Sequence, residues 1–274
     1  MDNVREMTKN GANSVNIGIR AVLPIVCGRV SDYDGNETQE RHDTNLMKEG
    51  AGMDDRKNKV PTVDSSLRHI LRMPKECFEC SGIVINGRRI KSMVFTTDLA
   101  IIKNCDADAV FAVYPFTPQQ SISAAIINAA HVPVFCGVGG GTTKGLRTVS
   151  LAKDVECQGA MGVVLNAPVS DVNLLAVSRA VDIPVIITVV NDHTDIRARL
   201  RAGANILNVA GGPDTAEIVR GIRRSYPDVA IIASGGNKPD SIRKTIEAGA
   251  NAITYTPPST KELFSSMMAK YREM

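Results

Sequence analysis

The chain has no tryptophan, and its aromatic residues amount to only 4% of the total. Few flat rings are therefore on hand for stacking bases, which speaks against a single-stranded nucleic-acid platform. An excess of one charge is missing too: 32 basic residues face 29 acidic ones, for a net charge of +3. A balance this even does not suit a polyanion-binding surface. Long apolar runs are absent, and none approaches the roughly 20 residues of a membrane helix. Residues 15–27 are fairly apolar, but Arg20 interrupts them and Asp2 and Glu6 precede them, unlike the basic start of a secretory signal. A cytoplasmic protein is expected.

Several chemistries lack their residues. No G-x-S-x-G elbow occurs, which disfavours serine hydrolysis. The four histidines are scattered, without metal-ligand spacing. Cys77 and Cys80 form a lone C-x-x-C with no second pair, so reduced thiols on a short helix are expected rather than a zinc site. No metal and no cofactor is expected.

What is present begins after a polar stretch. Residues 1–59 have little apolar periodicity, and 31–59 are charged and Gly-spotted, so they read as a flexible or partly ordered extension. Residues 60–274 read as one domain. Asp64 or Ser65 can cap a helix running to Met73. Next, IVI (83–85), Asn86-Gly87 and RRI (88–90) predict a β-hairpin with a type I′ turn, suited to plugging one end of a barrel.

Eight short apolar runs follow, at 92–98, 109–116, 133–140, 162–168, 184–190, 206–212, 230–236 and 252–258. They lack strict alternation, which suits strands buried on both faces of a parallel sheet. Amphipathic helices such as 118–130 and 214–225 separate them. The joints recur by quarters. Even-numbered strands follow Asp106-Ala107-Asp108, Gly159-Ala160-Met161, Gly203-Ala204-Asn205 or Gly249-Ala250-Asn251. Odd ones follow a Pro-containing joint at Pro133, Pro184 or Pro227. Eight βα units close a (β/α)₈ TIM barrel, an α/β fold, here with an N-terminal extension and a hairpin leading into strand one. A doubly wound open sheet is the rival, but no topological switch point is apparent.

At AGANILNVAGG (202–212) and IIASGGNKPDSIRKTIEAGA (231–250) the chain resembles the phosphate-binding (β/α)₈ barrels. These include the tryptophan synthase α subunit, thiazole synthase and prenylglyceryl-phosphate synthases. The resemblance implies a phosphate held by backbone N–H groups after strands six, seven and eight. The donors would be Gly211, Gly212, Gly235, Gly236, Ser259 and Thr260. Pro257-Pro258 stands where such proteins are usually Gly-rich, removing two donors from the eighth loop. From about residue 60 the chain also resembles a family of uncharacterised bacterial barrel proteins sometimes labelled hydrolase.

In such a barrel chemistry sits at the C-terminal ends of the strands. Asp98 ends strand one and is either a general acid/base or the N-cap of the next helix. Tyr114 and Cys136 lie in the second and third runs. The run GVGGGTTKG (137–145), with Gly139, Gly140, Gly141 and Lys144, is neither a Walker loop nor G-x-G-x-x-G. It can wrap an anion, with Lys144 as a point charge, or form a lid or turn. Asn191-Asp192-His193 can pair a carboxylate with an imidazole, or cap a helix through Asp192 or Thr194. Asn166 and Asn208 can orient a hydroxyl or carbonyl, or satisfy buried backbone.

The expected function is an enzyme acting on a small phosphorylated metabolite by proton-transfer, lyase or isomerase chemistry. A non-catalytic phosphometabolite-binding protein and a hydrolase are the alternatives. The expected partners are that metabolite and further copies of the chain in a homo-oligomer, with neither nucleic acid nor membrane.

Overall fold

The computed structural model describes residues 71–273. The readings for residues 1–59 and the 64–73 helix before residue 71 lie outside these residues. The described residues form ten strands and eight α-helices in regular alternation.

The first two strands are the predicted hairpin. β1 (Ile83–Ile85) and β2 (Arg88–Ile90) pair antiparallel, with Ile83 opposite Ile90. Asn86 at φ 48° and Gly87 at φ 77° make the turn, as its Asn-Gly sequence requires. A 3-10 turn, Lys75–Glu79, precedes the hairpin and packs against the seventh helix.

Barrel strands follow at β3 (Ser92–Phe95), β4 (Ala109–Ala112), β5 (Val134–Gly139), β6 (Gly162–Leu165), β7 (Val185–Val189), β8 (Ile206–Val209), β9 (Ala230–Ser234) and β10 (Ala252–Tyr255). Each pairs in parallel with its neighbours, and β10 returns to β3, closing the barrel. The helices between them are α1 (Leu99–Lys103), α2 (Gln120–Ala129), α3 (Leu146–Cys157), α4 (Asp171–Ser178), α5 (Ile196–Arg201), α6 (Thr215–Ser225) and α7 (Pro239–Glu247), with α8 (Thr260–Arg272) last. The open-sheet alternative is thereby excluded.

Alternation divides the apolar residues into two cores. Met93, Phe111, Phe135, Val164, Ile186, Ile206 and Ile232 point into the barrel. Val94, Val110, Cys136, Leu165, Ile187, Leu207 and Ile253 point out against the helices. Each fully buried large side chain contributes about 1.5–3 kcal/mol. The hairpin residues Ile83, Ile85 and Ile90 join the interior core, so the hairpin fills the N-terminal end. That leaves the C-terminal end as the mouth.

The quarter repeat has a hydrogen-bonding basis. Asn205 Oδ1 accepts the Val185 N–H at 2.8 Å, and Asn251 Oδ1 accepts that of Ile231 at 2.9 Å. Asp108 Oδ2 accepts from Lys91 and Ser92 at 2.8 and 3.0 Å. In each case the residue after the Ala of the joint ties down the start of the preceding strand. Met161 fills this place in the second quarter and has no such acceptor.

The last helix is set differently. α8 contains no buried residue, and Phe264, Met267, Met268 and Tyr271 are exposed. Among the described residues no helix is long and apolar enough to cross a membrane.

Candidate active site

The residues two beyond the interior Ile186, Ile206, Ile232 and Ala252 lie on the same strand faces, one layer nearer the mouth. They are Thr188, Asn208, Ser234 and Thr254. Asn208 Nδ2 donates to Thr188 Oγ1 at 3.3 Å, and the Ser234 and Thr254 hydroxyls lie 3.4 Å apart. Asn208 is 6% exposed and its Oδ1 is buried without a protein donor. An acceptor left unpaired in this way costs about 1–3 kcal/mol. Asn166 takes the corresponding place after Val164 on β6. This layer is neutral. Three of its members, Thr188, Ser234 and Thr254, were not singled out from the sequence, where nothing marks Ile186 rather than Ile187 as the interior residue.

Cys136 is a correction. It lies on the outward face of β5, and burial pushes its thiol up to about 12. Cys77 and Cys80 are also buried, their thiols raised to about 12 and 11, mainly by burial.

The two Gly-Gly turns share one design. The first glycine of each is a packing position: a Cβ on Gly211 would meet Ile218 Cδ1 at 2.4 Å, and one on Gly235 would meet Ile253 Cγ2 at 2.8 Å. The second, Gly212 at φ 61° or Gly236 at φ 73°, adopts the left-handed conformation that turns the chain into the helix. Both second glycines are exposed. The Gly211 N–H donates to Thr215 Oγ1 at 3.1 Å, and the Gly235 N–H to Thr254 O at 3.4 Å. Helices α6 and α7 start behind these turns, and neither Asp214 nor Lys238 makes a side-chain cap bond. Asp98, Ser170, Asp195 and Ser259 do cap α1, α4, α5 and α8.

The eighth-strand corner meets its own needs. Ser259 and Glu262 form a capping box: the Ser259 N–H donates to Glu262 Oε2 at 2.7 Å, and the Glu262 N–H to Ser259 Oγ at 3.2 Å. The Ser259 backbone N–H holds the Glu262 carboxyl below the usual range. Thr260 donates its hydroxyl to Asp98 Oδ2. Asp98 Oδ1 accepts the Ala100 and Ile101 N–H groups at 2.8 and 3.3 Å. Asp98 is thus the cap of the two alternatives in this state, and the Thr260 hydroxyl foremost holds its carboxyl below the ordinary range. A phosphate at 259–260 would have to displace one carboxylate and lie beside another. The S-x-x-E signature of this box is legible in the sequence.

In the glycine-rich run, packing accounts for most glycines. A Cβ on Gly139 would meet Thr148 Oγ1 at 2.8 Å, and one on Gly140 would meet the Asn166 backbone at 2.7 Å. Gly141 is different, because a Cβ there meets nothing within 4 Å. Lys144 is exposed on the approach to α3. Gly137, Gly139, Gly141 and Asn166 line a cleft of about 180 Å³ together with Val113, Tyr114 and Phe116.

On the β7–α5 loop, Asn191 Oδ1 accepts the His193 N–H at 3.2 Å and the Thr194 hydroxyl at 3.1 Å. Asp195, not Asp192 or Thr194, caps α5 by accepting the Ala198 N–H at 2.9 Å. The His193 side chain is 87% exposed, with Nδ1 3.4 Å from Asp192 Oδ1. Arg199 fixes the neighbouring β6–α4 loop by donating to Val169 O, Asp171 Oδ1 and Ala167 O at 2.6, 2.9 and 3.0 Å.

No protein-family model matches the chain, and no curated protein matches it in sequence. Solved structures do match in fold. Phosphonopyruvate hydrolase, determined with oxalate and Mg²⁺, aligns with a TM-score of 0.52 at 12% identity, over 68% of this chain and 80% of that one. Phosphoenolpyruvate phosphomutase from Streptomyces platensis subsp. rosaceus aligns at 0.51 and 13%, over 72% and 83%. A 2,3-dimethylmalate lyase of the PEP mutase/isocitrate lyase superfamily aligns at 0.52 and 12%, over 73% and 84%. Identities this low establish the shared barrel. Among the described residues no group of three or more His, Cys, Asp or Glu side chains is placed to hold a metal ion.

Proposed function

We propose that this protein is a barrel enzyme that binds a small phosphorylated metabolite at the mouth and acts on it by proton-transfer, lyase or isomerase chemistry. One observation carries the phosphate. The helices behind the two Gly-Gly turns lack side-chain caps, as do α2 and α3, while the helices after β3, β6, β7 and β10 have them. At α6 the Asp214 and Thr215 N–H groups already donate to Gly211 O and Gly212 O, and α7 opens on Pro239, so the anion would be met by the Gly212 and Gly236 N–H groups with the positive dipole ends behind them. The anion would lie across Gly212 and Gly236, with Gly211 and Gly235 packing the turns beneath it. Ser259 and Thr260 would give little, since Glu262 and Asp98 already hold them. The names of the fold relatives, enzymes of phosphonopyruvate and phosphoenolpyruvate, favour the same ligand class.

Each proposed catalytic residue has a role. Asn208 and Asn166 would orient the group facing the barrel. Lys144, from its exposed loop, would meet developing negative charge. His193 would serve as a general acid or base. Asp98 would act as a base only after release from Thr260. A second reading, a non-catalytic phosphometabolite-binding protein, is favoured by the neutrality of the mouth layer.

Incubation with phosphorylated three-carbon acids and sugar phosphates in D₂O, followed by phosphorus and proton NMR, separates the two. Conversion or deuterium uptake is expected. Saturable binding without either would leave the non-catalytic reading. Gly212→Asp is expected to weaken binding at least about fivefold, since a carboxylate about 4 Å from the anion costs roughly 1–4 kcal/mol. Gly212→Asn is the neutral control at the same backbone conformation.

A further inference from the structure

The cleft beside the mouth has a size, a wall and a charge that together describe its occupant. It measures about 180 Å³. A cavity of about 150 Å³ takes one benzene. The cleft therefore has room for a single six-membered ring or a fragment of that bulk. None of its lining residues is charged.

Its polar atoms are directed by the fold. Asn166 reaches the cleft from the end of β6, where its own N–H donates to Gly139 O at 2.9 Å. That bond fixes the backbone and leaves the side-chain amide to offer both a donor and an acceptor. Tyr114 Oη accepts the Gln119 N–H at 2.9 Å, which holds the loop bearing Phe116. Phe116 is 74% exposed, more than any other phenylalanine of the chain. Gly141, also in the lining, adds no bulk, and neither neighbouring packing nor a left-handed φ demands glycine there.

We infer that this cleft is a subsite for one uncharged, ring-sized group with hydrogen-bonding atoms on its edge, packed on Phe116 and read by the Asn166 amide. The inference rests on the reading of the mouth as the ligand face and names the end of the ligand remote from the phosphate. A carboxylate or second phosphate is disfavoured there, because no cation lines the cleft to offset its desolvation. Both a polyhydroxylated ring and a planar cyclic amide satisfy this description.

Two uncharged probes distinguish them. Myo-inositol and uracil are each titrated into the ¹⁵N-labelled full chain, with inorganic phosphate in a separate titration. Fragments of this size bind in the millimolar range. One of the two rings is expected to saturate, shifting the Asn166 side-chain amide and the Gly141 and Tyr114 backbone amides. Gly141→Val, which projects into open space, and Phe116→Ala, which trims an exposed ring, should each weaken that probe at least tenfold. Unshifted spectra elsewhere and unchanged Tm would show both variants folded. The inference is overturned if neither ring shifts these amides, or if both variants bind as the wild type does. Phosphate shifts at Gly212 and Gly236 are scored independently, so a failed phosphate site and a failed ring subsite give different spectra.

Discussion

Asp98 offers a quantitative test of how the mouth is assembled. Asp98→Ala removes acceptors for the Ala100 and Ile101 N–H groups and for the Thr260 hydroxyl. Losing the cap costs about 1 kcal/mol. Losing a hydrogen bond to a charged group costs about 1.5 kcal/mol more. The sum, about 2–3 kcal/mol, corresponds to a Tm lower by roughly 5–10 °C for a domain of this size. Asp98→Asn keeps an acceptor at the cap and should stay within about 1 kcal/mol of wild type. Urea denaturation of the wild type, Asp98→Ala, Thr260→Ala and the double variant gives the coupling, expected near 1 kcal/mol. The sign with pH follows from the lowered carboxyl. The difference between wild type and Asp98→Ala is fully present above the unfolded pKa, about 4. It fades as pH falls through the lower folded value. Equal stabilities, zero coupling or a gap that persists in acid would refute the structural role. Turnover abolished in Asp98→Asn at unchanged stability would restore the acid/base role.

Three other outcomes are expected. Asn251→Ala strips an acceptor from Ile231 N–H and Arg223 Nη2 and should cost about 2–3 kcal/mol, read by urea denaturation, whereas Met161→Asn should gain about 1 kcal/mol by supplying the second quarter with the acceptor the others have. Gly235→Ala drives a methyl against Ile253 and Ile242, so a loss of about 1–3 kcal/mol is expected, with no such loss for Gly141→Ala. Among the described cysteines, Cys157 is exposed while Cys77, Cys80, Cys105 and Cys136 are buried; alkylation of the native protein followed by mass spectrometry should mark Cys157 first.

The barrel was legible because parallel strands covered on both faces need short, nearly continuous apolar runs, and Pro and Gly punctuate them. The hairpin was legible because Asn86-Gly87 permits few other conformations. The same property hid the site. In a run such as 133–140 both faces are apolar, so the sequence does not say whether Cys136 or Gly137 faces the interior; only the register with Val163 and Val164 does. Capping was under-read for another reason. Asp192, Thr194 and Asp195 are all competent caps, and the choice of Asp195 is fixed by where α5 docks. Glycine number is ambiguous as well, since Thr148 and the Asn166 backbone leave no room for a Cβ at Gly139 and Gly140 whether or not a ligand binds there.

The central claim, an anion held between the two Gly-Gly turns, is met most directly by a phosphate titration followed through backbone amides. Saturable shifts are predicted at Gly212 and Gly236 and in the first turns of α6 and α7, absent in Gly212→Asp and retained in Gly212→Asn. Silence at those amides while Ser259 and Thr260 respond, or no saturable response at any of them, would contradict it.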